Sequence, residues 1–411
     1  MEQAGVLGNN NFITDSLSQK KIVAVCFFSM ALTMGAITNC SGIFVKPMSD
    51  SLGYSRSALS MIYSLYSIGQ VVIALFSGKI FARFKVSTVM RVGSLAAGTG
   101  LVVMGLGRSL AVFYVVALFI GLGMGALCMV PVSLLIKSWY KTGYGLALGI
   151  AMSGSGLGGM LFSLIFVNGI QRIGWRSCYL ITALAQLMIL FPMIWLWVKE
   201  APEINDKNMN WSGAGSEEPV QGMEVREVLK DYRFWLFAAA SVVTYASVST
   251  IHQSAAAYLS DLGCSTEQIS LITSGGMLSL AVGKIVLGRI YDRTNARCGT
   301  LVCSACGLAA LASMICYQSA FAPYAYIVFF GVGYSFGSIT YPIVTVALFG
   351  NRSFAGINGI YNAVGSLSLS AGVMAASGIY DLYGDYSIAF KLFFILSVAA
   401  MAVYIKLIPK A

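Results

Sequence analysis

Twelve runs of about 20 mostly apolar residues, set apart by short stretches of Gly, Pro or charge, take up nearly all of this chain. A helix needs about 20 such residues to cross the hydrocarbon of a bilayer, so each run is predicted to be one span. The runs lie near 22–45, 58–78, 88–107, 110–136, 144–168, 175–198, 234–259, 267–290, 299–318, 323–348, 354–380 and 387–408. Composition agrees. Of 411 residues, 57% are hydrophobic and 10% charged, where a soluble protein carries roughly 25% charged. So little polar surface could not cover a globule. A soluble enzyme, a nucleic-acid-binding domain and a disordered chain are excluded, and the chain reads as an all-α polytopic membrane protein.

The one long polar stretch separates six runs from six. The predicted organisation is an N-terminal tail (1–21), a six-helix bundle (22–198), a linker (199–233) and a second six-helix bundle with a short tail (234–411). Near the end of the linker, Val225, Val228, Leu229 and Tyr232 share a helical face, which predicts an interfacial helix feeding span seven. The net charge of +10 is placed unevenly. Of 26 Lys and Arg, 19 fall on the side that holds both termini and the linker, 6 on the other, and Lys284 lies within a run. Basic residues collect on the cytoplasmic side, so both termini and the linker are expected there, in a cell membrane. The first residues are polar, and no cleaved leader is expected. The nine cysteines lie mostly in apolar runs. Cys303-Ser-Ala-Cys306 has metal-like spacing but no His or acid beside it, so it reads as helix packing, and no metal or cofactor is expected.

The halves repeat each other at a constant offset of 210 residues. Leu52-Gly-Tyr-Ser55 matches Leu262-Gly-Cys-Ser265, Gly121 and Gly123 match Gly331 and Gly333, and Gly149-Ile150 matches Gly359-Ile360. Gly78-Lys-Ile-Phe-Ala-Arg83 matches Gly288-Arg-Ile-Tyr-Asp-Arg293. Two related six-helix bundles around a central site are how many secondary transporters are built. In the repeated loop, glycine allows close helix approach while charged residues can bridge to a neighbouring helix end. Gly78, Arg83, Gly288, Asp292 and Arg293 are therefore candidates for a cytoplasmic latch, with Ala82 standing where the second copy has its acid.

With this loop at these two places, the chain resembles the major facilitator superfamily, whose signature has the form Gly-x-x-x-Asp-Arg. Spans four and five carry Gly121-x-Gly-x-Gly125, Pro131, Gly145-Leu-Ala-Leu-Gly149, Ser153-Gly-Ser-Gly156 and Gly158-Gly159. Such small residues let helices pack closely where lipid offers no hydrophobic drive. This block is similar to the oxalate–formate antiporter and monocarboxylate transporter branch. So are Phe44-Val-Lys-Pro-Met48 before Leu52-Gly-Tyr-Ser-Arg56, and Val228-Leu-Lys-Asp-Tyr-Arg-Phe-Trp235 before span seven. Tyr144 and Cys128 depart from the branch pattern, which favours a basic and an aromatic residue there. The resemblance implies two pseudo-symmetric six-helix bundles in the major facilitator fold.

All sixteen acids fall in loops or tails, and Lys284 is the one charge placed inside a span. A charge there costs about 2.5–3.5 kcal/mol on insertion scales, so it faces water or a partner. A solute anion is one such partner; snorkelling to the headgroups is the alternative. The resemblance implies the former, since in this branch a basic residue four positions before the loop glycine contacts the substrate carboxylate. His252 is the only histidine, read either as a proton carrier and substrate donor or as a packing residue. Asn39, Gln70, Tyr334, Tyr341, Tyr361 and Asn362 are further candidates to line a cavity, as each can hydrogen-bond a carboxylate.

The expected function is secondary transport of a small organic anion, a monocarboxylate such as lactate, pyruvate or formate, by alternating access. A proton or a second anion would be the coupled species, and the transporter is expected to be a monomer. Span eleven has no basic residue, where the oxalate–formate type has a second cation, so oxalate itself is disfavoured. The rivals are exchange or export of a larger amphipathic anion and a transporter-like sensor without net transport. An enzyme is disfavoured because no nucleophile–base pair appears.

Overall fold

The computed structural model describes residues 17–140, 142–199, 222–317 and 321–409. Among these, eleven helices are long and apolar enough to cross a membrane. One of them, Tyr144–Trp197, is 54 residues long and so more than twice the length a span requires. Gly174 breaks it, with φ 82° and ψ 160°, a left-handed conformation that glycine adopts without steric cost. Twelve spans result. They are α1 (Leu17–Asn39), α2 (Arg56–Arg83), α3 (Val86–Leu106), α4 (Leu110–Trp139), α5 (144–173) and α6 (175–197) in the first half. The second half holds α7 (Tyr232–Asp261), α8 (Thr266–Arg293), α9 (Ala296–Ile315), α10 (Ala322–Phe349), α11 (Phe354–Tyr383) and α12 (Tyr386–Leu407).

The 210-residue offset is written into the backbone. α2 and α8 start at Arg56 and Thr266 and stop at Arg83 and Arg293. Ser55 and Ser265 cap them, accepting from the backbone N–H of Ala58 and Gln268. The left-handed turns at Gly53 and Gly174 recur at Gly263 and Gly384.

Several spans are not continuous α-helices. α4 is interrupted at residues 126–128, α6 widens to a π turn at Gln186–Leu190, and α10 does so at Phe336–Thr340. Each irregularity lies just ahead of a proline: Pro131, Pro192 or Pro342. Proline lacks the N–H for the preceding turn and crowds its carbonyl, so the ladder opens there. α1 likewise turns to π-helix over Ala31–Asn39 and is followed by a helix at Ser41–Leu52. The described part of α1 is already helical at Leu17, within the stretch of residues 1–21 expected as a tail. The interfacial helix expected over 224–232 is one turn, Val225–Val228, closed by a capping box of Glu224 and Glu227. Val228 is buried there, whereas Leu229 and Tyr232 are exposed.

The end of the bundle where α6 finishes and α7 begins is called here the linker end. Between the halves, α5 packs along α8 and α2 along α11. A single apolar core runs through the first half and into the linker-end portion of the second, taking in Phe234, Leu287, Tyr291, Phe336, Phe349 and Tyr404. At the far end the second half has a separate core around Ile251, Tyr258, Ile272, Tyr326, Phe330 and Phe390. Among the described residues the linker-end core joins the two halves, and the far-end core of the second half is separate from it.

Candidate functional site

The α5–α8 crossing positions Lys284. Gly149 and Gly156 of α5 present bare backbone to α8: a Cβ on Gly149 would strike the Lys284 carbonyl, and one on Gly156 would lie 2.9 Å from Ala281 N. Backbones this close drive the Lys284 side chain into the interface, where the residue is 4% exposed. Its Nζ donates to Ser155 Oγ at 2.5 Å and to Met152 O at 3.2 Å. The side chain therefore turns inward across to the other half rather than outward to the headgroups.

Asn39, the last residue of the α1 π segment, joins the same point. Its Nδ2 donates to Ser155 O at 3.0 Å, and the residue is exposed. Three helices from the two halves thus meet at Ser155. An ammonium has three donors and two are used here, both on neutral acceptors. Among the described residues no span interior places a carboxylate beside it. A buried cation with no described acid beside it calls for a compensating group. Ser155 was not singled out from sequence, because Ser153-Gly-Ser-Gly156 reads as a helix-packing stripe.

The other predicted residues lie elsewhere. His252, half-buried, stacks on Phe330 with ring centroids 5.3 Å apart and meets Tyr334 edge-on at 5.5 Å. The structure brings His252 and Tyr334 together, and His252 makes no hydrogen bond among the described residues. Gln70 is half-buried on α2, where its Cα packs against Gly125 of α4. Asn362 folds back on its own helix, donating to Asn358 O at 2.8 Å. Asn358 donates in turn to Ser133 Oγ at 3.0 Å, a fully buried link between α11 and α4 that sequence reading missed.

Tyr341 and Tyr361, expected to line a cavity, are packed together in this structure. They are 1% and 0% exposed and stack on each other within an aromatic cluster of Phe234, Phe237 and Phe336. Neither hydroxyl finds a hydrogen-bond partner among the described residues. Tyrosine is amphipathic, and here the packing of the ring has decided its place.

At the linker end, Asp292 accepts from the backbone N–H of Gly145 and of Leu146, both at 2.7 Å. These amides open α5, whose own N-cap, Gly143, has no side chain to offer. An acid of one half thus caps a helix of the other, where the helix dipole favours negative charge. Gly288 makes room for it, since a Cβ there would collide with the Gly145 carbonyl. At the related α2–α11 crossing Gly78 faces Gly356, and Ser77 Oγ donates to Ala355 O at 2.8 Å. Ala82 supplies no cap. Instead Lys137 Nζ donates to Asn351 Oδ1 at 2.5 Å and lies 3.9 Å from the centre of the Phe354 ring. Arg83 lies over Phe84 at 5.7 Å, and Arg293 is exposed.

Two repeated halves of six spans in the same orientation, with a buried cation where they cross, define a polytopic membrane transporter rather than an enzyme. The pattern that describes the Major Facilitator Superfamily matches residues 24–265 and 238–411, and the chain belongs to that family. It is similar to the uncharacterized MFS-type transporter YcxA of Bacillus subtilis (strain 168), 28% identical over 200 residues, 47% of this chain and 49% of that one. The chain therefore aligns with about half the length of YcxA. It is also similar to Monocarboxylate transporter 12 of Mus musculus, 25% identical over 401 residues, covering 90% of this chain and 81% of that one. Among solved structures, the MFS proton:xylose symporter XylE bound to 6-bromo-6-deoxy-D-glucose has the same fold. The TM-score is 0.72 at 15% identity, over 96% of this chain and 97% of that one.

Proposed function

We propose that this transporter moves a small organic monocarboxylate by alternating access, with Lys284 as the group that holds the carboxylate. The observation that carries the proposal is a buried ammonium on two neutral acceptors, with one donor to spare, at the crossing between the halves. One cation and no described acid suit a solute with a single negative charge. The exposed Asn39 amide beside Ser155 offers the solute a further hydrogen bond. Similarity to a protein named as a monocarboxylate transporter supports the same solute class. We place the linker end in the cytoplasm, from the distribution of Lys and Arg, in a cell membrane. The conformation closed at the linker end is then the outward-facing one, and the halves before and after the linker rock about the α5–α8 and α2–α11 crossings. A proton or a second anion completes the cycle.

The test is uptake of labelled lactate, pyruvate, formate and oxalate into proteoliposomes, with and without a pH gradient. Loss of a charge-assisted hydrogen bond of about 1.5–3 kcal/mol weakens binding about 10- to 100-fold. Lys284→Gln is expected to remove uptake of the monocarboxylates while the protein stays folded in the membrane. Lys284→Arg keeps the charge with a different shape and retains part of the activity. Wild-type uptake by a well-expressed Lys284→Gln protein would overturn the assignment.

A further inference from the structure

The ends of α7, α10 and α12 leave a cleft of about 260 Å³ at the linker end, with Tyr232, Arg233, Leu348, Lys406 and Pro409 in its walls. A water's share of the liquid is about 30 Å³, so the cleft has room for a phosphate and the glycerol attached to it. Its walls bring together two cations from opposite ends of the second half. Among the described residues neither the Arg233 nor the Lys406 side chain has an ion pair or hydrogen bond. The adjacent acid, Asp231, caps the start of α7 beside the cleft, its carboxylate accepting from the backbone N–H of Arg233 at 2.8 Å.

A separate observation fixes the depth of this cleft. Tyr232 and Trp235 are 68% and 59% exposed, and Trp235 Nε1 donates to Leu229 O at 2.9 Å. Exposed Tyr and Trp at a helix end mark the boundary between headgroups and acyl chains. Leu236 and Ile405, one step further into the span, are exposed and apolar. The cationic cleft thus opens at headgroup level above a surface suited to a hydrocarbon chain.

We propose that this cleft binds an anionic phospholipid of the linker-side leaflet, with Arg233 and Lys406 on its phosphate and Tyr232 and Trp235 beside its glycerol. Basic pockets between helix ends recognise lipid phosphates in this way. The lipid would tie the start of α7, and with it the end of the linker, to α10 and α12.

The experiment is native mass spectrometry of the delipidated full-length protein, titrated with phosphatidylglycerol, phosphatidylcholine or inorganic phosphate. At about 1 kcal/mol per basic residue near a membrane surface, loss of both cations corresponds to about a 30-fold loss of affinity. Wild-type protein is expected to hold one tightly bound phosphatidylglycerol, and Arg233→Gln/Lys406→Gln to lose it. Arg226→Gln/Lys230→Gln, two exposed positions outside the cleft, should bind as wild type. Thermal unfolding in phosphatidylcholine nanodiscs checks that both double variants are folded. Equal phosphatidylglycerol binding by the two double variants would overturn the proposal. So would equal binding of phosphatidylcholine, or displacement of the lipid by an equimolar amount of inorganic phosphate, which would mark a site for free anions.

Discussion

Lys284 and Ser155 come from different halves of the chain, and the ammonium of one lies 2.5 Å from the hydroxyl of the other. This contact is a strut between α8 and α5. Ser155→Ala leaves the buried ammonium only the Met152 carbonyl, at a cost of about 1.5–3 kcal/mol. A lowered melting temperature in detergent is expected. Lys284→Met removes the charge that needed the hydroxyl, so Ser155→Ala in that background should cost much less. A double-mutant cycle reads the difference as a coupling of about 0.5–3 kcal/mol. Additive effects would show that the two residues do not depend on each other.

Asp292→Asn should loosen the linker end. The carboxylate caps the start of α5 from the other half, and its loss costs about 1–2 kcal/mol. That shifts the equilibrium towards the open linker end by about 5- to 30-fold. A cysteine in place of the buried Ala355, in the α2–α11 crossing, reports opening through its rate of alkylation, followed by peptide mass spectrometry. The rate should rise with Asp292→Asn. Ala82→Asp, which gives the first copy of the loop the acid of the second, should lower it. An unchanged rate in both variants would remove the latch from the mechanism.

Tyr341→Phe and Tyr361→Phe should be harmless. Each hydroxyl is enclosed without a hydrogen-bond partner among the described residues, and an unpaired buried polar group is a cost, not a contribution. Melting temperatures equal to or above wild type are expected, with uptake changed by no more than about twofold. A large fall in uptake would return these tyrosines to the solute path.

His252→Gln addresses coupling. The ring is half-buried against Phe330 and Tyr334 with no hydrogen bond among the described residues, so its ring nitrogens are not committed to holding the fold. If it carries the coupled proton, the variant loses accumulation driven by a pH gradient and keeps exchange of labelled for unlabelled solute. Unchanged accumulation would assign His252 to packing.

Orientation can be read from one native thiol. Cys316 is exposed at the far end, in the loop after α9. A membrane-impermeant maleimide should label it in intact cells, while a cysteine at the exposed Arg226 of the linker end should label only after permeabilisation. The reverse pattern would turn the whole protein over.

The spans were legible because bilayer thickness imposes a length on every apolar run, and the fold because one offset relates Gly53 to Gly263 and Ser55 to Ser265. The irregular turns were not read from sequence. Pro131, Pro192 and Pro342 were visible, but a proline in an apolar run does not say whether the helix kinks, breaks or widens. In the site, Lys284 and Asn39 stood out as polar groups in apolar surroundings. Ser155 did not, since serine beside glycine is common wherever helices pack. The packing of Tyr341 against Tyr361 was not legible for the converse reason: a tyrosine can be chosen for its ring alone. The Asn358–Ser133 link joins residues 225 apart, and nothing local to either announces the other.

The shared core at the linker end sets a condition on any movement. Its apolar area joins the halves, and about 2.5 kcal/mol is lost for about every 100 Å² that is pulled apart and left uncovered. The opposite state is reachable only if far-end surfaces come together as linker-end surfaces separate, so that buried area is exchanged rather than spent. The protein then behaves less like a door than like a balance loaded on both arms. Added apolar bulk on the far-end faces of α2 or α8 would tip it, moving the resting state without any change to the groups that hold the solute.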